Sequence, residues 1–322
     1  EEQMRWLDEC WHAAAHARDD GIDVRAVTVW SAFGSWNWCS LLTRDDRTFE
    51  TGAYDLCGPQ ARPTGLAHLA RELAIEGRGT SPVLQAPGWW RRDDRLPWAT
   101  AEPCKVGKPL LVIGANGTLG RAVLEACRAR HIHAVGASRN DCNLLRPESI
   151  NDALERTGAW AVINASGYVR VDDAEGDVGP CWALNALGAA SLAELCGARD
   201  IPLVSFSSDL VFDGEMGRPY RESDATAPVN VYGYTKQAME RMVSWFHPAS
   251  LIVRTAAFFG PADQANFLHF ALRTIESGRP FMAANDQVVS MTYVPDLANA
   301  VLDLLLDRES GIWHLAGSHH AT

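Results

Sequence analysis

Three residues in the second half of the chain could together deliver a proton to a carbonyl oxygen. Tyr232 and Lys236 lie four positions apart in "VNVYGYTK", and on a helix that spacing puts them on one face. Ser208 closes the apolar run "PLVSFSS", 24 residues before the tyrosine. A ketone undergoing reduction develops alkoxide charge on its oxygen, and a positioned acid has to protonate it. A free tyrosine, with a pKa of about 10, matches neutral pH poorly. A nearby lysine ammonium favours the phenolate and lowers that value, while a serine hydroxyl holds the substrate oxygen. Taken alone, the tyrosine–lysine spacing is also that of an ordinary surface helix. The surrounding elements have to decide between the two.

The first of those elements is "KPLLVIGANGTLGRAVLEACRARHIHAVGASR". A buried-strand run, Leu110 to Ile113, leads into Gly114, Asn116, Gly117, Thr118, Leu119 and Gly120, then a helical pattern and a second strand. Glycines between a strand and a helix let the backbone turn sharply and approach a pyrophosphate, which then sits at the helix N-terminus. The spacing is GxxGxxG. The second strand ends "ASRN", with Ser138 and Arg139 where an NAD site places an acid to grip the ribose 2′-hydroxyl. An arginine there pairs a 2′-phosphate instead, so NADPH is the expected cofactor, with NADH as the alternative.

Further strands follow at regular intervals. "AWAVINASGY" is a strand feeding a small-residue loop at Asn164, Ala165 and Ser166. "WALNALGAASLAELCGARDI" is an amphipathic helix that carries Asn185. The next strand, "PLVSFSSDLVFDG", bears Ser207, Ser208 and Asp209 at its carboxyl end. This alternation predicts an α/β fold with a doubly wound parallel sheet, with ligands at the carboxyl ends of its strands. The Ser208, Tyr232 and Lys236 constellation then falls where the cofactor would lie.

Composition limits the remaining readings. A formal charge of −11 over 322 residues argues against nucleic acid or an anionic membrane as partner. The apolar runs are too short to cross a bilayer, and the N-terminus lacks the layout of a secretory signal. Eight cysteines (10, 39, 57, 104, 127, 142, 181 and 196) form no CxxC pair and no zinc spacing. They read as reduced thiols of a cytoplasmic protein, and no metal site is expected.

The chain divides by composition near residue 100: eight of its 12 tryptophans precede that point. Residues 1–85 read as helix, strand (from Val24 to Ser35), aromatic loop and helix, a unit that cannot close a sheet on its own. Residues 86–107 read as a linker rich in Pro, Gly and charge, and 108–322 as the nucleotide-binding domain. "VWSAFGSWNW" resembles the last barrel strand of family 1 glycoside hydrolases through Trp30, Ser31 and Trp38. Asn37 stands where that family has its glutamate, and the strands that would carry both carboxylates are absent. The resemblance therefore implies an incomplete (β/α) barrel fragment with no glycosidase activity.

"NASGYVRVDDAE", "SSDLVFDG", "PVNVYGYTKQAMER", "RTAAFFG" and "GIWHLAG" together resemble the dTDP-4-dehydrorhamnose reductase family, an extended short-chain dehydrogenase/reductase, over residues 108–322. That resemblance implies NADPH-dependent reduction of the 4-keto group of a dTDP-linked deoxysugar. It gives Ser208, Tyr232 and Lys236 the catalytic places. It sets Asn164 and Ala165 against the cofactor, and adds Ser207, Asp209, Arg254 and Gln287 as substrate contacts. Ala257 stands where the family has a tryptophan, and Val289 and Met291 replace a glycine and a proline. The chain stops at "SHHAT", short of the family's C-terminal helices, which implies truncation there. A nucleotide-sugar epimerase or dehydratase and a non-catalytic regulatory subunit are the alternatives. Leu210, where dehydratases carry a second acid, disfavours the dehydratase, and the intact catalytic set disfavours the regulatory subunit. A homodimer is the assembly left open.

Overall fold

A computed structural model describes residues 1–40, 43–58, 60–93, 104–261, 267–281, 288–317 and 320–321. The chain separates into two compact units, one of residues 1–107 with 130–132 and 306–309, the other holding the remainder.

In the first unit, helix α1 (Glu2–Asp19) buries Met4 and Leu7, and α2 (Gly65–Glu76) buries Leu66, Leu69 and Leu73, positions spaced three and four apart. Gly77, at φ +73°, ends α2 in the left-handed conformation that glycine adopts most cheaply. The expected strand from Val24 to Ser35 does not form. Among the described residues the unit has two short antiparallel pairs, β1 (Ser35–Trp36) with β2 (Phe49–Glu50) and β3 (Tyr54–Asp55) with β4 (Arg62–Pro63). The physical reason is that a β-branched run acquires a ladder only from a neighbouring strand, and among the described residues this one meets partners only at its end, through an isolated bridge between Phe33 and Tyr54 and the Ser35–Glu50 pair.

The second unit is built on six parallel strands: β5 (Leu110–Ile113), β6 (Ala134–Ala137), β7 (Ala161–Asn164), β8 (Leu203–Ser208), β9 (Leu251–Thr255) and β13 (Gly311–His314). Their order is β13-β9-β8-β7-β5-β6. β5, β7, β8 and β9 are buried along their whole length, as continuous apolar runs in a covered parallel sheet should be. The helices are α3 (Thr118–Ala129), α4 (Pro147–Thr157), α5 (Val178–Trp182), α6 (Ala189–Gly197), α7 (Val231–Phe246), α8 (Phe267–Glu276) and α9 (Val294–Leu306). Ile150 and Leu154 of α4, Leu192 and Cys196 of α6, and Met239 and Val243 of α7 pack with Leu111, Ile113, Val162, Leu203 and Ile252 into one core. Two short pairs complete the unit: β10 (Phe258–Phe259) with β12 (Thr292–Tyr293), and β11 (Val289–Ser290) with β14 (His320–Ala321).

The chain leaves β5 toward β6 on one side and continues through β7 on the other. The strand order therefore reverses at β5, and it is at such a reversal, outside the carboxyl ends of the strands, that open α/β sheets bind ligands.

Candidate active site

The three glycines after β5 answer to three different constraints. Gly114 has φ +81°, and a Cβ there would lie 2.8 Å from the backbone of Ala165 and Ser166. Gly120 would place a Cβ 2.3 Å from the Gly114 carbonyl oxygen, so it lets α3 pack onto the loop. Gly117 is exposed, and the nearest described atom to a Cβ there is the Gly114 oxygen at 3.4 Å, an ordinary contact. The fold itself therefore does not demand glycine at 117, whereas a pyrophosphate lying against the backbone at the start of α3 does. Asn116 is exposed beside it, and the buried Leu119 can meet a ligand only through its backbone.

Arg139 is exposed and has no carboxylate partner among the described residues. The nearby acid, Asp141, is taken up by Ser138: it accepts from the Ser138 hydroxyl (2.6 Å) and amide (2.9 Å), which hold its carboxyl below the ordinary range. Ser138 thereby shapes the turn that presents Arg139. At the end of β7 the buried Asn164 accepts from the Ser166 amide (3.1 Å), and the Ala165 amide bonds back to Ile113. These residues fit a dinucleotide with a 2′-phosphate. Arg139→Ala should weaken NADPH binding by about ten- to hundredfold, the loss of a charge-assisted bidentate contact. NADH binding should hardly change, and titrating both cofactors against the variant checks this.

A chain of contacts leads from that loop to the candidate catalytic set. A Cβ on Gly167 would lie 3.5 Å from Lys236 Nζ. Lys236 is buried on α7, donates to the Phe206 carbonyl of β8 (3.0 Å), and sits 5.6 Å from the centre of the Tyr232 ring. The first turn of α7 presses on the backbone after Ser208, since a Cβ on Gly233 would meet the Leu210 oxygen at 2.2 Å. Asn230 caps the helix through the Gly233 amide. The Ser208 hydroxyl donates to Asp209 (2.9 Å) and accepts from the Leu210 amide (3.2 Å). Sequence residues 100 or more apart are thus brought to one end of the sheet.

Electrostatics here differ from the expectation in one respect. Burial, followed by the charges of Asp209 and Cys181, pushes the Tyr232 phenol above its ordinary value, so the neighbouring lysine does not lower it. Lys236 is itself desolvated, which brings it down to about 8 from 10.5. Burial also raises the Asp209 carboxyl, against the hydrogen bond from Ser208. At neutral pH Tyr232 carries its proton, the form an acid needs.

Two expected substrate contacts are engaged elsewhere. Arg254 is buried in a bidentate pair with Glu240, and the Ser207 hydroxyl donates to the same carboxylate (2.5 Å). Their donors point into the protein, so geometry gives them a supporting place rather than contact with a ligand. Asp209 remains beside the site. Gln287 lies outside the described residues.

Asn185 was legible as part of a helix but not as part of the site. It lies on a π-helical turn, Ala183–Gly188, between α5 and α6. Its side chain accepts from the Tyr168 amide (2.8 Å) and donates to the Tyr168 carbonyl and to Thr235 Oγ1 (3.1 Å), which in turn donates to the Tyr232 carbonyl. Asn185 therefore ties the loop after β7 to the turn of α7 that bears the tyrosine. A π-turn leaves no signature in hydrophobic spacing, although such turns recur at functional sites.

Residues 108–322 match the family described as RmlD substrate binding domain. The chain belongs to that family. A dTDP-4-keto-6-deoxy-D-glucose reductase of Streptomyces niveus is 34% identical over 213 residues, covering 66% of this chain and 74% of the relative. A dTDP-4-dehydrorhamnose reductase of Mycolicibacterium smegmatis is 31% identical over 248 residues, covering 76% and 74%. Among solved structures, a dTDP-4-dehydrorhamnose reductase from Bacillus anthracis in complex with NADP superposes with a TM-score of 0.64 at 26% identity, covering 67% of this chain and 76% of that one. The six-stranded sheet with its reversal at β5 is thus the fold of the extended short-chain reductases. No helix among the described residues is long and apolar enough to cross a membrane, and no described cluster of His, Cys, Asp and Glu could hold a metal ion.

Proposed function

We propose that the second unit reduces the 4-keto group of a dTDP-linked deoxysugar with NADPH, as the named relatives do. The observation that carries this reading is the placement of the Tyr232 phenol one helical turn from Lys236 and beside Ser208, at the end of the sheet that bears the glycine loop. NADPH, when bound, supplies the hydride. Gly114, Gly117, Gly120 and Arg139 hold it, with the backbone at Asn164 and Ala165. Ser208 Oγ turns from Asp209 to the ketone oxygen and fixes its position. As negative charge grows on that oxygen, Tyr232 donates its phenolic proton, and the Lys236 ammonium stabilises the phenolate left behind. Asp209 accepts the hydrogen bond that orients Ser208 in the resting site. Ala257 is exposed where the family resemblance places a tryptophan, so the sugar end of the site is more open than in relatives that carry the larger side chain.

The test is turnover of purified protein with a dTDP-4-keto-6-deoxyhexose, followed by NADPH oxidation. Binding of NADPH with no turnover of any 4-keto nucleotide sugar would overturn the assignment. The rate should also fall as pH rises through about 8, because Lys236 then loses the charge that supports the phenolate. The stability effect of the same group has the opposite sign. Its folded value lies below its ordinary 10.5, so the unfolded chain binds more protons between the two values. This lysine therefore adds stability as pH climbs from about 8 to 10.5. A pH–rate profile alongside thermal melts separates the two.

Residues 1–85 are read as a segment resembling part of a glycoside hydrolase barrel, residues 86–107 as a linker, and 108–322 as the catalytic domain. What supports this division is the concentration of exposed aromatic residues within 1–85, among them Trp30, Trp36 and Phe49.

A further inference from the structure

The geometry points to Glu240 as the positioning residue that fixes the tyrosine–lysine helix against the serine strand. This inference rests on the reductase reading of the site. Glu240 lies one turn beyond Lys236 on the same face of α7, and both are buried, with relative exposures of 4% and 8%. Its Oε1 accepts from Ser207 Oγ (2.5 Å) and from Arg254 Nε (2.8 Å), and its Oε2 accepts from Arg254 Nη2 (2.7 Å). Ser207 immediately precedes Ser208, and Arg254 is its register partner in the β8–β9 ladder. One carboxylate therefore joins α7, β8 and β9 at the level of the reacting groups.

Lys236 adds a second tie one turn away, through the Phe206 carbonyl. These two rungs clamp α7 to the last three residues of β8, so neither sliding nor rotation of the helix is free. Arg254 is held on its outer side as well. Nη1 donates to His314 Nε2 (3.3 Å) and to the Glu222 carbonyl, and the guanidinium stacks on Phe212. The pair is thus fully partnered, which a buried pair requires if it is not to cost stability.

Glu240 has a second consequence for its neighbour. Three titratable groups face Lys236: Glu240 and Tyr232 on its own helix, and Cys181 on α5; Asp209, just past β8, acts on Tyr232. Burial brings the Lys236 ammonium down; Cys181 and, after it, Glu240 act against that fall.

Three variants of the full chain test this. Ser207→Ala removes one rung and leaves the ion pair, and it should lower kcat by about tenfold, with KM for NADPH within about twofold, because small misplacements of reacting groups are costly. Glu240→Gln should lower kcat further and move the alkaline limb of the pH–rate profile below about 8. Glu240→Asp keeps the charge and should return the limb towards its original place while kcat stays reduced. A merely structural glutamate would lower the melting temperature of these variants and leave kcat and the limb unmoved, which overturns the inference. If Glu240→Gln does not fold, Ser207→Ala decides, and an unchanged kcat overturns it. If the unmodified chain binds NADPH but reduces no 4-keto sugar, the substrate assignment has failed separately. Glu240 is then read from the pH titration of the Lys236 Cε NMR resonance, identified by its loss in Lys236→Met. A titration unmoved by Glu240→Gln overturns the inference.

Discussion

Replacing Tyr232 with phenylalanine is expected to lower kcat by about a hundredfold to ten-thousandfold, the usual worth of a positioned acid. NADPH affinity should stay within about twofold. The phenol makes no hydrogen bond among the described residues, so removing its oxygen strands no partner. The ring keeps its packing against the small cluster of Tyr168, Ala174 and Cys181 and its place beside Lys236, and those contacts survive in phenylalanine. A loss confined to kcat therefore reports the proton alone. Turnover and cofactor titration on the same preparation separate the two. Retention of most of kcat would transfer the acid's part to Asp209, the other group nearby that burial holds toward its protonated form.

Gly114→Ala should be the most damaging single change to cofactor binding. Two costs add. The backbone there sits at φ +81°, where a Cβ is strained by roughly 1–3 kcal/mol. The new methyl would also lie 2.8 Å from main-chain atoms of Ala165 and Ser166, which cannot rotate away. With the unit losing about 3 kcal/mol, the melting temperature should fall by roughly 6–12 °C, and the loop that meets the pyrophosphate should open. NADPH affinity is expected to fall by more than about tenfold, since the amides must converge on the phosphates to bind them. Gly117→Ala is the control: a Cβ there has an ordinary 3.4 Å contact, so stability should hold while cofactor affinity falls. If Gly117→Ala binds NADPH normally, the pyrophosphate does not lie against that residue.

The parallel sheet was legible because its strands are continuous apolar runs and its glycine loop falls between a strand and a helix. That Ser208, Tyr232 and Lys236 gather at one end of the sheet was expected because the proposed chemistry needs those residue types together. The pairing of Arg254 and Ser207 with Glu240 was not legible, for a physical reason. A polar residue at the carboxyl end of a strand has the same appearance in sequence whether it faces a ligand or a buried carboxylate. Glu240 illustrates the converse. The spacing of Lys236 and Glu240 is that of a solvent-exposed helix pair, and only the packing of α7 on β8 and β9 shows both to be buried. The run from Val24 to Ser35 failed as a strand because β-propensity describes fit to a sheet, and the partner strands have to exist first.

The position of β13 has a consequence during synthesis. β9 ends at Thr255, while the strand that covers its outer edge begins at Gly311. At roughly 5–20 residues per second, the ribosome needs about 3–11 seconds to make the intervening chain. For that interval the five consecutive residues of β9, apolar but for Arg254 and Thr255, present an open row of amides and carbonyls to any neighbouring nascent chain. The Glu240–Arg254 pair and the β8 ladder can already be in place by then, so the exposed edge belongs to a nearly finished sheet. Crowded polysomes translating this message are where mispairing would begin, and slower elongation between codons 255 and 311 would lengthen that exposure in direct proportion.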